Sequence, residues 1–156
     1  MIIDIGRLAK DGETFEGEVP EAALELGAGP VEPGGPLRYR LRAQVFFQEL
    51  LVRGTLRMPV RLRCSRCDAP FAGEVAEPRF EAVREVAAGV EYVDLTPEIR
   101  ESIILAFPSY PVCSSECRGL CPQCGANLNE ASCSCAAQTG PRWGGLDKLK
   151  IGSTKA

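Results

Sequence analysis

The chain of 156 residues contains no histidine. That absence removes a Cys–His dyad, a Ser-His-Asp triad and the usual catalytic zinc sites, which lean on imidazole. Aromatic residues are scarce, at 6%, so surfaces on which bases could stack are few. No apolar run approaches the roughly 20 residues that span a bilayer. The opening Met1–Arg7 segment lacks a basic stretch followed by an apolar one, so no secretory signal is expected. The expected location is the cytoplasm, where thiols stay reduced. No cluster of Asp and Glu stands out as a metal site for phosphodiester cleavage. The expectation is a protein that is not an enzyme and takes no small-molecule substrate.

What is present is a globular composition, 45% hydrophobic and 25% charged, enough for one domain and a small appendage. Leu37, Tyr39, Leu41, Ala43, Val45 and Phe47 alternate with polar residues. So do Val52, Leu56, Met58, Val60 and Leu62. Period two predicts two strands, each with one buried face. A turn is expected near Gln48-Glu49, a bend or bulge at Gly54, and an edge position or bulge at Pro59. A third extended segment runs from about Phe71 to Val86. Residues 29–35 read as a loop from their glycines and prolines. One helix is signalled, with Thr96 as cap, Pro97 at its first position and Ile99, Ile103, Leu105 and Ala106 on its apolar side, ending before Pro108. A weaker helical stretch lies near Leu146–Ile151. The expected class is α+β: an antiparallel β-sheet core with one main helix and a cysteine-rich zinc-binding tail. Residues 1–110 form the mainly β core, which contributes the first cysteine pair. Residues 111–140 are the cysteine-rich segment and residues 141–156 a terminal tail with a possible short helix.

The eight cysteines fall into four close pairs: Cys64 and Cys67, Cys113 and Cys117, Cys121 and Cys124, Cys133 and Cys135. A two-residue spacer lets one tight turn aim two sulfurs at one ion, and Gly125 after Cys124 frees the chain to fold back. Disulfides need an oxidising compartment, and no βαβ pattern surrounds either C-x2-C for a redox role. Four pairs suffice for two four-coordinate, all-cysteine zinc sites. The loop between Cys124 and Cys133 is only eight residues, so those two pairs close cheaply into one site. Cys64, Cys67, Cys113 and Cys117 then form the other. Interleaved pairing, or one zinc with four spare thiols, stays open.

The net charge is −3, but the stretch from Arg38 to Arg66 carries eight arginines (Arg38, Arg40, Arg42, Arg53, Arg57, Arg61, Arg63 and Arg66) and one acid, Glu49. Strand alternation puts most of them on one face, a candidate phosphate-binding surface for RNA. The plainer alternative is a solvated face balanced by Glu74, Glu77, Glu81 and Glu85 across the strands. Tyr39 and Phe47 are expected to be buried, leaving Phe46 as the aromatic on the polar side.

The run Cys64-Ser-Arg-Cys67-Asp-Ala-Pro-Phe71, the run from Asp94 to Pro108, and then Pro111-Val-Cys113 through Cys117, Cys121-Pro-Gln-Cys124-Gly-Ala-Asn-Leu-Asn129 and Cys133-Ser-Cys135 together resemble the YceD family of large ribosomal RNA subunit accumulation proteins. The resemblance covers about residues 36–150. It implies a bacterial or organellar protein, without known enzymatic activity, needed for accumulation of large-subunit ribosomal RNA. Implied partners are that RNA, a pre-ribosomal particle or a ribosomal protein, with no membrane. All eight cysteines match the fuller cysteine pattern of the family. A zinc-ribbon adaptor that binds protein without touching RNA is the competing reading.

Overall fold

A computed structural model describes residues 1–26, 31–87 and 89–135. The expected helix near Leu146–Ile151 and the tail 141–156 lie outside the described residues. The elements in chain order are β1 (Ile2–Asp4), a 3-10 turn (Ile5–Arg7), β2 (Glu13–Val19), α1 (Glu21–Leu24), β3 (Val31–Pro33), β4 (Leu37–Phe46), β5 (Glu49–Arg63), β6 (Pro70–Glu85), β7 (Tyr92–Asp94) and α2 (Thr96–Leu105). The architecture is α+β and its sheets are antiparallel.

The central strand is β5. Along one edge it pairs first with β4 and then with β3; β6 pairs along the other edge, and β2 lies outside β4. The 29–35 segment is therefore not all loop: Val31 to Pro33 pair with Val60 to Leu62. Pro59 is not on an edge. It sits where β5 changes neighbour, between the residues paired to β4 and those paired to β3, a gap in the ladder that tolerates its missing N–H. The β4–β5 turn is Phe47-Gln48, one residue earlier than expected.

Alternation holds along both long strands. Leu37, Leu41 and Ala43 of β4, with Leu50, Val52, Leu56, Met58 and Val60 of β5, are buried. In β6 the register shifts opposite Gly54–Leu56, so that Pro78 and Arg79 together face one residue. This bulge reverses β6's parity. Val75 is buried before it, Phe80 and Ala82 after it. Without the extra residue one half of β6 would present its apolar side chains to water.

Helix α2 covers the inner face. Ile99 and Ile103, one helical turn apart, are fully buried with Leu95. Each stabilises the fold by about 1.5–3 kcal/mol. Leu105, expected on the same side, is 78% exposed, because its offset from Ile99 and Ile103 turns it outward. Thr96 is the first helical residue rather than the cap. The cap position falls to Leu95, whose side chain makes no cap bond; Asp94, one residue earlier, accepts from the Thr96 backbone N–H at 2.9 Å and from its hydroxyl at 2.6 Å. These two bonds hold the Asp94 carboxyl below its ordinary value near 3.8. A depressed carboxyl contributes stability above its unfolded pKa and loses it as pH falls through the folded value. Asp94→Ala is expected to cost about 1 kcal/mol at neutral pH, with the difference from wild type beginning to shrink only as pH falls below about 4. Urea titrations across that range measure it.

Candidate metal centres

The turn from β5 to β6 is the first cysteine knuckle. The Asp68 N–H donates to the Cys64 carbonyl at 2.8 Å, and the Cys64 N–H to the Ala69 carbonyl at 3.0 Å. Asp68 takes a left-handed φ of 58°, a conformation that Asp tolerates better than most residues. The second C-x2-C turn repeats the device. Gly125, at the matching place after Cys124, has φ 72° and donates to the Cys121 carbonyl at 2.9 Å.

Two groups of four sulfurs result, Cys64/Cys67/Cys113/Cys117 and Cys121/Cys124/Cys133/Cys135. Within each group all sulfurs lie within 4.8 Å of one another. This grouping is the one the loop-length argument favours, rather than an interleaved one. In the first group Cys64 to Cys117 and Cys67 to Cys113 are both 3.8 Å apart. Four sulfurs held tetrahedrally at about 2.3 Å from one zinc ion stand about 3.8 Å apart, whereas a disulfide needs about 2.05 Å. The spacing and the donor set fit a metal ion, and each group could hold one. All eight cysteines are free.

Hydrogen bonds prepare the sulfurs. Backbone N–H groups of Cys113 and Arg66 each donate to the Cys64 sulfur at 3.4 Å. The Cys113 amide above all, against burial and with help from Arg66 and Cys67, lowers the Cys64 thiol to about 6. The Cys124 and Gln123 amides and the Cys133 thiol bring Cys121 to about 6 as well. Their partners are driven the other way. The Cys117 sulfur, with burial, pushes Cys113 up to about 12, and the Cys124 sulfur, with burial, does the same to Cys135. Four crowded thiols cannot all ionise without a cation between them, so metal uptake releases protons.

Two residues that the spacing argument passed over join the centres. Asn129 belongs to the loop of the second group, yet its side-chain N–H donates to the Cys117 sulfur of the first at 3.4 Å. Its oxygen accepts from the Arg118 N–H at 2.8 Å, and Asn127 holds its amide at 2.8 Å. Arg66, expected to meet phosphate, donates to the carbonyls of Ser115 at 3.3 Å and Cys117 at 3.1 Å, and its own carbonyl accepts from Leu120 at 3.0 Å. It fastens the two cysteine turns together. No sequence signal distinguished either residue, because their partners are brought close only by the fold.

The other arginines do share the outer face of the sheet, but most are paired. Arg38 meets Glu18 and Arg40 meets Glu16, both at 3.0 Å, from β2; Arg53 meets Glu81 at 2.7 Å and Arg57 meets Glu74 at 2.8 Å, from β6. Arg63 meets Asp68 at 2.8 Å, and Arg42 donates to the Asp11 carbonyl. Arg61 alone of these has no such partner among the described residues. Glu77 and Glu85, the other two proposed counter-charges, form no ion pair there. Phe47 is fully exposed, at 103%, rather than buried, because the chain turns on it and it leaves the strand's alternation.

A profile of the family described as large ribosomal RNA subunit accumulation protein YceD matches residues 73–150. An uncharacterised protein of Mycobacterium tuberculosis is 32% identical over an alignment of 169 positions, covering 96% of this chain and 81% of the relative. One from Mycobacterium leprae is 28% identical over 123 positions, covering 69% and 56%. The chloroplastic large ribosomal RNA subunit accumulation protein YCED homolog 1 of Arabidopsis thaliana is 37% identical over 49 positions, 31% of this chain and 15% of that protein. No solved structure matches. No helix among the described residues is long and apolar enough to cross a membrane.

Proposed function

The chain belongs to the YceD family of large ribosomal RNA subunit accumulation proteins, and from that premise we propose that it is a non-enzymatic, zinc-binding factor of large-subunit biogenesis. It supports accumulation of large-subunit ribosomal RNA by binding that RNA or a precursor particle, in the cytoplasm. The observation that carries the reading is the pair of all-thiol quartets, since sulfur donors at tetrahedral spacing suit zinc above harder divalent ions. The ligands are Cys64, Cys67, Cys113 and Cys117 at one centre and Cys121, Cys124, Cys133 and Cys135 at the other. When bound, zinc would fix the cysteine-rich segment against the β5–β6 turn. The family's name describes RNA accumulation rather than a reaction, and the absence of histidine is consistent with that.

RNA contact is assigned to the arginine face: Arg38, Arg40, Arg42, Arg53, Arg57, Arg61 and Arg63, with Arg66 at its end. Their ion pairs are exposed and worth only about 0.2–1 kcal/mol each, so phosphates can displace the carboxylates. Reversing Arg57, Arg61 and Arg63 to Glu is expected to weaken binding to large-subunit ribosomal RNA at least tenfold, and to flatten its salt dependence, without loss of metal. Filter binding across a salt series, with metal content by mass spectrometry, tests this. A second reading is favoured by the same ion pairs, which leave the face nearly neutral: a zinc-organised adaptor that binds a ribosomal protein. Unchanged RNA affinity in the triple variant, with a protein complex that survives nuclease and high salt, would establish that reading instead.

A further inference from the structure

The end of the sheet opposite the cysteine knuckle carries three local costs in one place. Phe47 holds φ 55°, a left-handed conformation that favours glycine or asparagine and strains an aromatic residue. Its ring is wholly exposed and the adjoining Phe46 is 48% exposed; two strands across, on β6, Val83 is 52% exposed. Val83 pairs across to half-buried Leu51, extending the apolar patch along the outer face. Glu49 and Glu85 face each other in register. Like charges directly opposite destabilise a sheet, and neither has an ion-pair partner among the described residues. Elsewhere on this face, by contrast, Glu16, Glu18, Glu74 and Glu81 are each matched to an arginine.

A tip that is strained, apolar and uncompensated in charge is poorly suited to solvent and well suited to a complementary surface. We propose that the Phe46-Phe47 hairpin tip is a protein-docking site whose partner presents an apolar pocket framed by lysine or arginine. The charge decides against nucleic acid. Phosphates would approach two unpaired carboxylates, whereas a cationic rim satisfies both and also meets the phenyl faces. Phe47 would enter the pocket, with Val83 and Leu51 as the flanking floor. This site lies beyond the metal centres and the arginine rows and depends on neither.

The test uses the full chain labelled with nitrogen-15. It is titrated with a 15-residue leucine/lysine peptide, its leucine/glutamate counterpart and an oligouridylate. The basic peptide is expected to shift the amide signals of Phe47, Gln48, Glu49, Val83 and Glu85, and the acidic peptide to leave them in place. Phe47→Asn should weaken that binding at least tenfold while raising the melting temperature, because asparagine accepts the left-handed backbone. Paired Glu49→Lys and Glu85→Lys should weaken it similarly. Shifts elsewhere, or binding indifferent to both variants, would overturn the proposal. So would docking of the oligouridylate at the tip, or dimerisation of the chain that Phe47→Asn abolishes.

Discussion

Cys117→Ser is expected to halve the metal content of the native protein, from two ions per chain to one, and to release the cysteine-rich segment from the sheet. Cys117 is buried in the small cluster with Cys64 and Cys67, and among the described residues the only apolar side chains packed against that cluster are the half-buried Ala69 and Phe71. The tail therefore has little apolar surface to hold it without metal. A structural zinc ion supplies about 10–16 kcal/mol of apparent binding energy in small metal-dependent modules, far more than the Arg66 and Asn129 hydrogen bonds can replace. The sheet should survive, because its core, from Leu24 through Met58 to Ile103, forms a separate cluster. The expected signature is thus divided. Far-ultraviolet circular dichroism keeps its β signal, while trypsin cuts at Arg118 at least tenfold faster. Cys133→Ser should likewise remove one ion. Retention of two ions by either variant, or collapse of the whole sheet, would contradict the picture of two closed quartets appended to an independent core.

Gly54→Ala is expected to be the most damaging small substitution in the sheet. A Cβ there would lie 2.0 Å from the Arg40 carbonyl oxygen and 2.9 Å from the Leu41 Cα. Both atoms belong to the backbone of β4, which is itself held between β2 and β5, so no side-chain rotation relieves the overlap. Overpacking of this kind costs about 3 kcal/mol or more, or a fall of about 10 °C in melting temperature for a chain of this size. Gly6→Ala is the control. Its Cβ would meet only the Asp4 carboxylate oxygen, at 3.4 Å, and the melting temperature should move by no more than a degree or two.

The long strands and α2 were legible in the sequence because their apolar residues keep a single period over ten or more positions. So was the partition of the cysteines, which follows from the cost of closing loops. The first 35 residues were not. β1 and β3 are three residues each, too short to show a period, and β2 has only Phe15 and Val19 as large apolar residues. Missing β2 hid Glu16 and Glu18, the partners of Arg40 and Arg38, so the arginine rows looked more cationic than they are. Phe47 was misplaced by extending a correct alternation one residue past the turn. Arg66 and Asn129 depend wholly on tertiary proximity: their partners lie 51 and 12 residues away in the chain.

The two cysteine quartets also differ in when they can exist. The quartet of Cys121, Cys124, Cys133 and Cys135 is complete within fifteen residues, and its ligands can meet in an otherwise unfolded chain within microseconds. The quartet containing Cys67 and Cys113 spans 46 residues between those two sulfurs, and β6, β7 and α2 lie between them. Its sulfurs are held together only once the β5–β6 hairpin has closed and the helix has docked. If each quartet takes an ion, loading would follow that order. The local quartet would be complete first. The distal one would be complete only with the sheet and helix in place, so that its ion would register their arrival. Scarcity of metal during synthesis would accordingly yield a chain with a finished tail and an unlatched body, rather than the reverse.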